Sequence, residues 1–272
     1  MKRSYVSLHN HTAFCDGRDS MEDMVRYAIA QNVGAMGFSG HSYIPFNEAY
    51  CMSVEGMRAY RAELMRLRGV YGGRIRLYCG IEQEYYATDA PEGYDFVIGS
   101  AHFIRRGGEY LEIDADAKTV RGNVRAHFDD DYYAYAAAYF ETVARQAQRP
   151  WIDCIGHFDL VAKFNEAGDM FCEEDPRYLD PAVAALEALV KSGKVLEMNS
   201  GAVSRGYRAQ PYPSKTLLKH LARLGGRMTL SADAHAKEHI LFLFDEMAEL
   251  LRECGFQELW TFDGTAFVAE GL

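Results

Sequence analysis

The chain has 272 residues, 49% hydrophobic and 25% charged, a balance typical of a globular protein that can bury its own core without staples. Its formal net charge of −10 argues against a nucleic-acid or anionic-membrane partner, either of which attracts a basic face, but leaves a phosphate substrate open because bound metal ions can supply positive charge locally. No apolar stretch reaches membrane-spanning length, and the basic start Met1-Lys2-Arg3-Ser4-Tyr5 lacks the apolar segment of a signal peptide. The six cysteines are scattered with no CxxC pair, which reads as reduced thiols in a cytoplasmic protein; separately, a monomer or homodimer is expected.

Short apolar runs alternate with longer helical patterns along the chain. Strands are expected over residues 5–8 and 35–39, with a helix over 20–31 between them that Ser20 opens as N-cap. An amphipathic helix over 53–68 leads to a strand over 75–81, and a further strand covers 96–101. Arg106-Gly107-Gly108 suggests a hairpin whose second arm is 109–113. A Tyr- and Ala-rich helix covers 130–146. Strands follow at 151–155, 195–198, 228–231 and 259–262, separated by helices over 181–191, 214–224 and 239–254. Gly225-Gly226 ends the second of those helices. Alternating strands and helices imply a parallel α/β sheet. Seven or eight such repeats in one unbroken domain, residues 1–272, favour closure into a barrel, a fold that typically needs about 250 residues.

Six of the nine histidines stand at or just past the end of a predicted strand: His9, His11, His41, His102, His157 and His235. In an α/β barrel that end carries the active site. Glu82, Asp233 and Asp16 fall in the same register. Alone, His9-Asn10-His11 is a weak signal, although residues i and i+2 of an extended segment share a face and can reach one ion. Together, these imidazoles and carboxylates on one rim suit zinc, manganese or iron, which accept mixed nitrogen and oxygen ligands. His127, His220 and His239 lie in or near helices and read as structural.

These residues resemble the polymerase and histidinol phosphatase (PHP) family of metal-dependent phosphoesterases. The likeness runs through His9-Asn10-His11-Thr12, Gly37-Phe38-Ser39-Gly40-His41, Gly80-Ile81-Glu82, Gly99-Ser100-Ala101-His102, Gly156-His157-Phe158-Asp159-Leu160 and Ser231-Ala232-Asp233-Ala234-His235. Lys163-Phe164-Asn165, Glu197-Met198-Asn199-Ser200-Gly201 and Pro211-Tyr212-Pro213-Ser214 are similar to the family's monofunctional histidinol-phosphatase branch. The resemblance implies a distorted (β/α)7 TIM-like barrel with three divalent transition-metal ions. His9, His11, Glu82 and Asp233 would hold one. Glu82, bridging, would hold a second with His102 and His157. Asp16, His41 and His235 would hold the third, where many relatives have His in place of Asp16.

The implied reaction hydrolyses a small phosphorylated substrate, L-histidinol phosphate, in histidine biosynthesis. A metal-bound hydroxide would attack phosphorus without a covalent phosphoenzyme, with Glu82 and Asp233 holding the ion that carries it. Lys163, Arg205 and Arg208 follow strands whose ends face the metals and are candidates to grip the phosphate. Tyr43, Glu84, Asp159 and Tyr212 are candidates to read the amine and imidazole. A nucleotide or oligonucleotide phosphoesterase of the same family would share every metal ligand. An amidohydrolase usually has a bridging Lys where Glu82 stands, and a non-catalytic scaffold is disfavoured because no ligand is lost.

Overall fold

The structure is a computed structural model that describes residues 5–87 and 90–272. Met1 to Ser4, on which the reading of the N-terminus rests, lie outside the described residues. Among those described, the first half of the chain runs β1 (Val6–Ser7), α1 (Met21–Ala30), β2 (Ala35–Phe38), α2 (Val54–Tyr71), β3 (Arg76–Glu84) and β4 (Phe96–Ser100). The hydroxyls of Ser20 and Ser53 accept from Asp23 N and Gly56 N and start the two helices. The hairpin β5 (Phe103–Arg106) and β6 (Glu109–Glu112) follows, then α3 (Ala117–Phe128) and α4 (Tyr132–Ala144). The second half runs β7 (Cys154–Ile155), α5 (Pro176–Lys191), β8 (Val195–Asn199), α6 (Gly201–Ser204), α7 (Lys215–Arg223), β9 (Arg227–Ser231), α8 (Phe244–Cys254), β10 (Glu258–Phe262) and β11 (Phe267–Gly271).

Seven strands form one sheet in the order β1-β2-β3-β4-β7-β8-β9, and every neighbouring pair is parallel. The two ends meet just beyond the first and last strands. There Asn10 bridges Ala234 in parallel, with Ala234 N donating to His9 O at 3.1 Å and His11 N to Ala234 O at 2.9 Å. The result is a distorted (β/α)7 barrel, irregular because β1 and β7 are only two residues long. Inside it Leu8, Phe96, Ile98 and Val195 pack together with Phe262 of β10. Phe96 fits because two neighbours lack side chains: a Cβ on Gly80 would lie 2.2 Å from its ring, and one on Gly37 2.8 Å.

Three expectations needed correction, and one helix was not foreseen. The last predicted strand lies outside the barrel sheet: β10 pairs antiparallel with β11, and Phe262 packs on Tyr78 and Phe96 with centroids at 5.1 and 5.5 Å. Helix α3 fills a stretch for which no element was expected, and Asp116 caps it by accepting from Thr119 N at 2.8 Å. Helix α5 starts at Pro176 rather than 181, behind the N-cap Asp175, and tolerates Pro181 inside. Helix α8 starts at Phe244 rather than 239, because a 3₁₀ turn over Lys237–His239 and a left-handed Leu243 intervene. No described helix is long and apolar enough to cross a membrane, and all six cysteines are free of disulfides.

Candidate metal centre

Each functional side chain sits where a barrel strand stops. His9 and His11 follow β1, His41 follows β2, His102 follows β4, His157 follows β7, and Asp233 and His235 follow β9. Glu82 and Glu84 are two apart on β3, so they share a face. The Glu82 carboxylate is the meeting point. Its oxygens lie 3.3 Å from His9 Nε2, 3.5 Å from His11 Nε2, 2.9 Å from His41 Nδ1, 3.4 Å from His102 Nε2 and 3.1 Å from His157 Nε2. Ser100 Oγ donates to it at 2.6 Å.

Among the described residues, three groups each bring potential ligand atoms within 4.8 Å of one another: His9, His11 and Asp233; His41, Glu82 and His102; and His11, Asp16, His41 and His235. His11 therefore faces two groups, and His41 adjoins both Glu82 and Asp16. His157 reaches the centre through Glu82. His127, His220 and His239 lie elsewhere: His127 is 3.5 Å from Glu109, His220 is on α7 and His239 packs on Phe242.

The residues fit bound divalent ions. His9 Nε2, His11 Nε2 and Glu82 Oε2 are buried and make no hydrogen bond, a cost that a shared cation removes. Asp16, Glu82, Glu84, Glu197 and Asp233 crowd around the imidazoles, with Arg205 the guanidinium among them. Without metal the imidazoles must carry the compensating charge. Burial would lower the pKa of His9 and His102, but Glu197, Glu82 and Asp233 outweigh it at His9, and Glu82 and Glu84 do so at His102, so both are raised. The same contest lifts His41 to about 9. At His11 burial wins, helped by His235 and His41, and the pKa falls to about 3. Burial also works against ionising Glu82, yet the surrounding His41, His9 and His102 hold its pKa well below the usual carboxylate range.

A cavity of about 240 Å³ opens on this cluster. Arg205 and Lys163 line it; Arg208 does not. Arg205 donates to Asp233 O at 3.0 Å and Oδ2 at 3.1 Å, and contacts His235 Nδ1 at 2.7 Å. Lys163 Nζ donates to Asp114 O at 2.8 Å. Arg208 is turned away and held by Glu173 Oε1 and Ala162 O, both at 2.8 Å.

The expected readers of the amine and imidazole also lie outside the cavity wall. Tyr43 donates to Glu48 at 3.3 Å. Glu84 accepts from His102 N at 2.8 Å and contacts the ring Nδ1 at 3.0 Å. Asp159 is fully buried beside Ser214 N, and burial, with Glu173, pushes its pKa up to about 7. Tyr212 is 2% exposed. Beside the proposed metal ligands Asp16, Glu82 and Asp233, the cavity is lined by Glu112 and Asp114, at the end of the β5–β6 hairpin, and sequence reading missed these two. It also missed the contact between Glu197 and His9 Nδ1 at 2.9 Å, although Glu197 sits near the end of a barrel strand, the register that marked the other site residues.

The family profile described as PHP domain matches residues 7–201. A "Probable histidinol-phosphatase" from Deinococcus radiodurans is 25% identical over 265 residues, covering 91% of this chain and 92% of that protein. The histidinol-phosphatase of Bacillus subtilis is 21% identical over 267 residues, covering 89% and 97%. Among solved structures, the histidinol phosphate phosphatase of Lactococcus lactis, complexed with zinc, L-histidinol and phosphate, superposes with a TM-score of 0.72 at 22% identity. That match covers 97% of this chain and 99% of the other.

Proposed function

The chain belongs to the PHP-domain family, and from that premise we propose that it is a metal-dependent phosphomonoesterase that hydrolyses L-histidinol phosphate to L-histidinol and phosphate. The observation that carries this reading is the cavity in which Glu82, Asp233, Asp16 and four of the histidines share walls with Arg205 and Lys163. The names of the curated relatives, matched over nine-tenths of this chain, and the histidinol and phosphate of the Lactococcus lactis complex support the choice of substrate.

His9, His11, Glu82 and Asp233 would hold one ion, Glu82, His102 and His157 a second, and Asp16, His41 and His235 a third. When bound, such ions lower the pKa of a water and neutralise charge on phosphate oxygens. The chain's own part is to bind and orient. Arg205 is fixed by Asp233 and His235 and keeps N–H groups beyond those contacts for a phosphate oxygen. Lys163 adds a second cation, held in place by Asp114. Glu112 and Asp114 offer carboxylates to the cationic amine of the substrate. The small volume suits a monoester more than a polymer strand.

Steady-state kinetics of Arg205→Ala and Lys163→Ala test this arrangement. A charge-assisted bond to phosphate contributes about 1.5–3 kcal/mol, so each variant loses roughly 10- to 100-fold in kcat/KM on L-histidinol phosphate. A contact equal in ground and transition states raises KM; one that tightens as charge develops lowers kcat. Unchanged kcat/KM in both variants removes them from the phosphate site.

A further inference from the structure

We propose that Glu197 and Glu84 are positioning residues that aim His9 and His102 at the metal centre and so set how tightly it holds its ions. The proposal rests on the metal-centre reading but not on the identity of the substrate.

Glu197 and Glu84 make the same pair of contacts. Glu197, 1% exposed, reaches His9 Nδ1 at 2.9 Å and accepts the backbone N–H of His157 at 2.8 Å. Glu84, 3% exposed, reaches His102 Nδ1 at 3.0 Å and accepts that residue's own backbone N–H at 2.8 Å. A carboxylate accepts only, so the proton on each ring belongs on Nδ1. In the neutral ring that a metal ion requires, the lone pair is thereby left on Nε2, and in both rings Nε2 faces Glu82, at 3.3 and 3.4 Å. Each carboxylate thus fixes a tautomer, a ring orientation and the main chain of a strand end. Asn199 Nδ2, donating to Glu197 Oε1 at 2.6 Å, holds that carboxylate in turn.

Not every imidazole is held this way. His157 Nδ1 is buried with no hydrogen-bond partner, and His11 Nδ1 lies 3.5 Å from the Cys15 thiol and 3.4 Å from Asp16, a part-exposed carboxylate that is itself in a proposed ligand set. The restraint falls on His9, from the first proposed ligand set, and His102, from the second. Two more buried negative charges also raise the attraction of the centre for cations. Outer partners of metal-bound imidazoles typically matter by roughly 10- to 100-fold in affinity.

The competing explanation is that these are ion pairs that only stabilise the fold. The test is zinc competition against a chromogenic chelator, with thermal melting of the metal-free proteins alongside. Wild type, Glu197→Gln, Glu84→Gln and the control Glu173→Gln are compared; Glu173 pairs with Arg208 away from the centre. Each of the first two variants should hold at least one zinc ion roughly 10- to 100-fold more weakly, and the control should match wild type. Zinc affinities within twofold of wild type in both variants overturn the proposal. So does a variant that no longer folds, because a purely structural role would then suffice. No arm uses a substrate, so a mistaken substrate assignment leaves the outcome unaffected.

Discussion

Glu82→Gln lowers kcat on the order of 10³-fold or more, the scale of removing a preorganised charge from a reacting centre, while the barrel stays folded. Five imidazoles converge on this carboxylate. The amide has the same shape but no charge, and its NH₂ cannot accept from or coordinate what an oxygen can. Glu82 stands two residues beyond Gly80, the register partner of Phe96, and its carboxylate faces the histidines, so the main cost falls on the centre. Asp233→Asn follows the same logic, since Asp233 faces His9, His11 and Arg205. Asp16→Ala is milder: its side chain is 33% exposed at the edge of the cluster and contacts His235, His41 and His11 but not Glu82. Rates measured at saturating metal, with circular dichroism as the folding control, check this ranking. Near wild-type kcat in Glu82→Gln contradicts the central role of that carboxylate.

Removing the ions abolishes activity, and low pH makes reloading harder. In the metal-free protein His9, His41 and His102 bind protons more tightly than a free imidazole does. A metal ion needs those nitrogens unprotonated, so binding expels protons and apparent affinity falls as pH drops below the raised value of about 9 at His41. The stability of the metal-free fold moves the opposite way. The share contributed by His41 is full below its unfolded pKa of about 6.5 and is lost as pH rises through about 9. Calorimetric zinc titration in two buffers of different ionisation enthalpy counts the protons released. Dialysis against chelator followed by assay measures the loss of activity. Zero proton release, or full activity after chelation, contradicts this account.

The barrel was legible because its strands are short apolar runs that end at histidines or acids. Helix α3 escaped notice because Gly122 and Asn123 interrupt a sparse apolar row, Val120, Val124 and Phe128, which becomes visible once those residues are seen to be buried. The β10–β11 hairpin looked like one more barrel strand because local pattern does not say which sheet a strand joins. Its turn is made by Asp263, which accepts from Thr265 N and Ala266 N.

At the site, the strand-end residues could be picked out one by one. The carboxylates behind them could not, because a buried acid in a strand reads alike whether it faces the centre or braces a histidine. Glu84 reads in the sequence as a substrate contact, whereas its carboxylate meets His102 Nδ1 at 3.0 Å. Arg205 and Arg208 are three residues apart, and Glu173 and Ala162, far from them in the chain, hold Arg208 away from the cavity. Glu112 and Asp114 gave no local sign, since the hairpin after β4 is what carries them to the cavity.

The most direct measurement is kcat/KM of the metal-loaded protein on L-histidinol phosphate, beside a nucleoside monophosphate and a short oligonucleotide. A strong preference for L-histidinol phosphate is expected, because its amine can meet Glu112 and Asp114 while Arg205 and Lys163 take the phosphate. Equal or higher kcat/KM on the nucleotide or the oligonucleotide would contradict it.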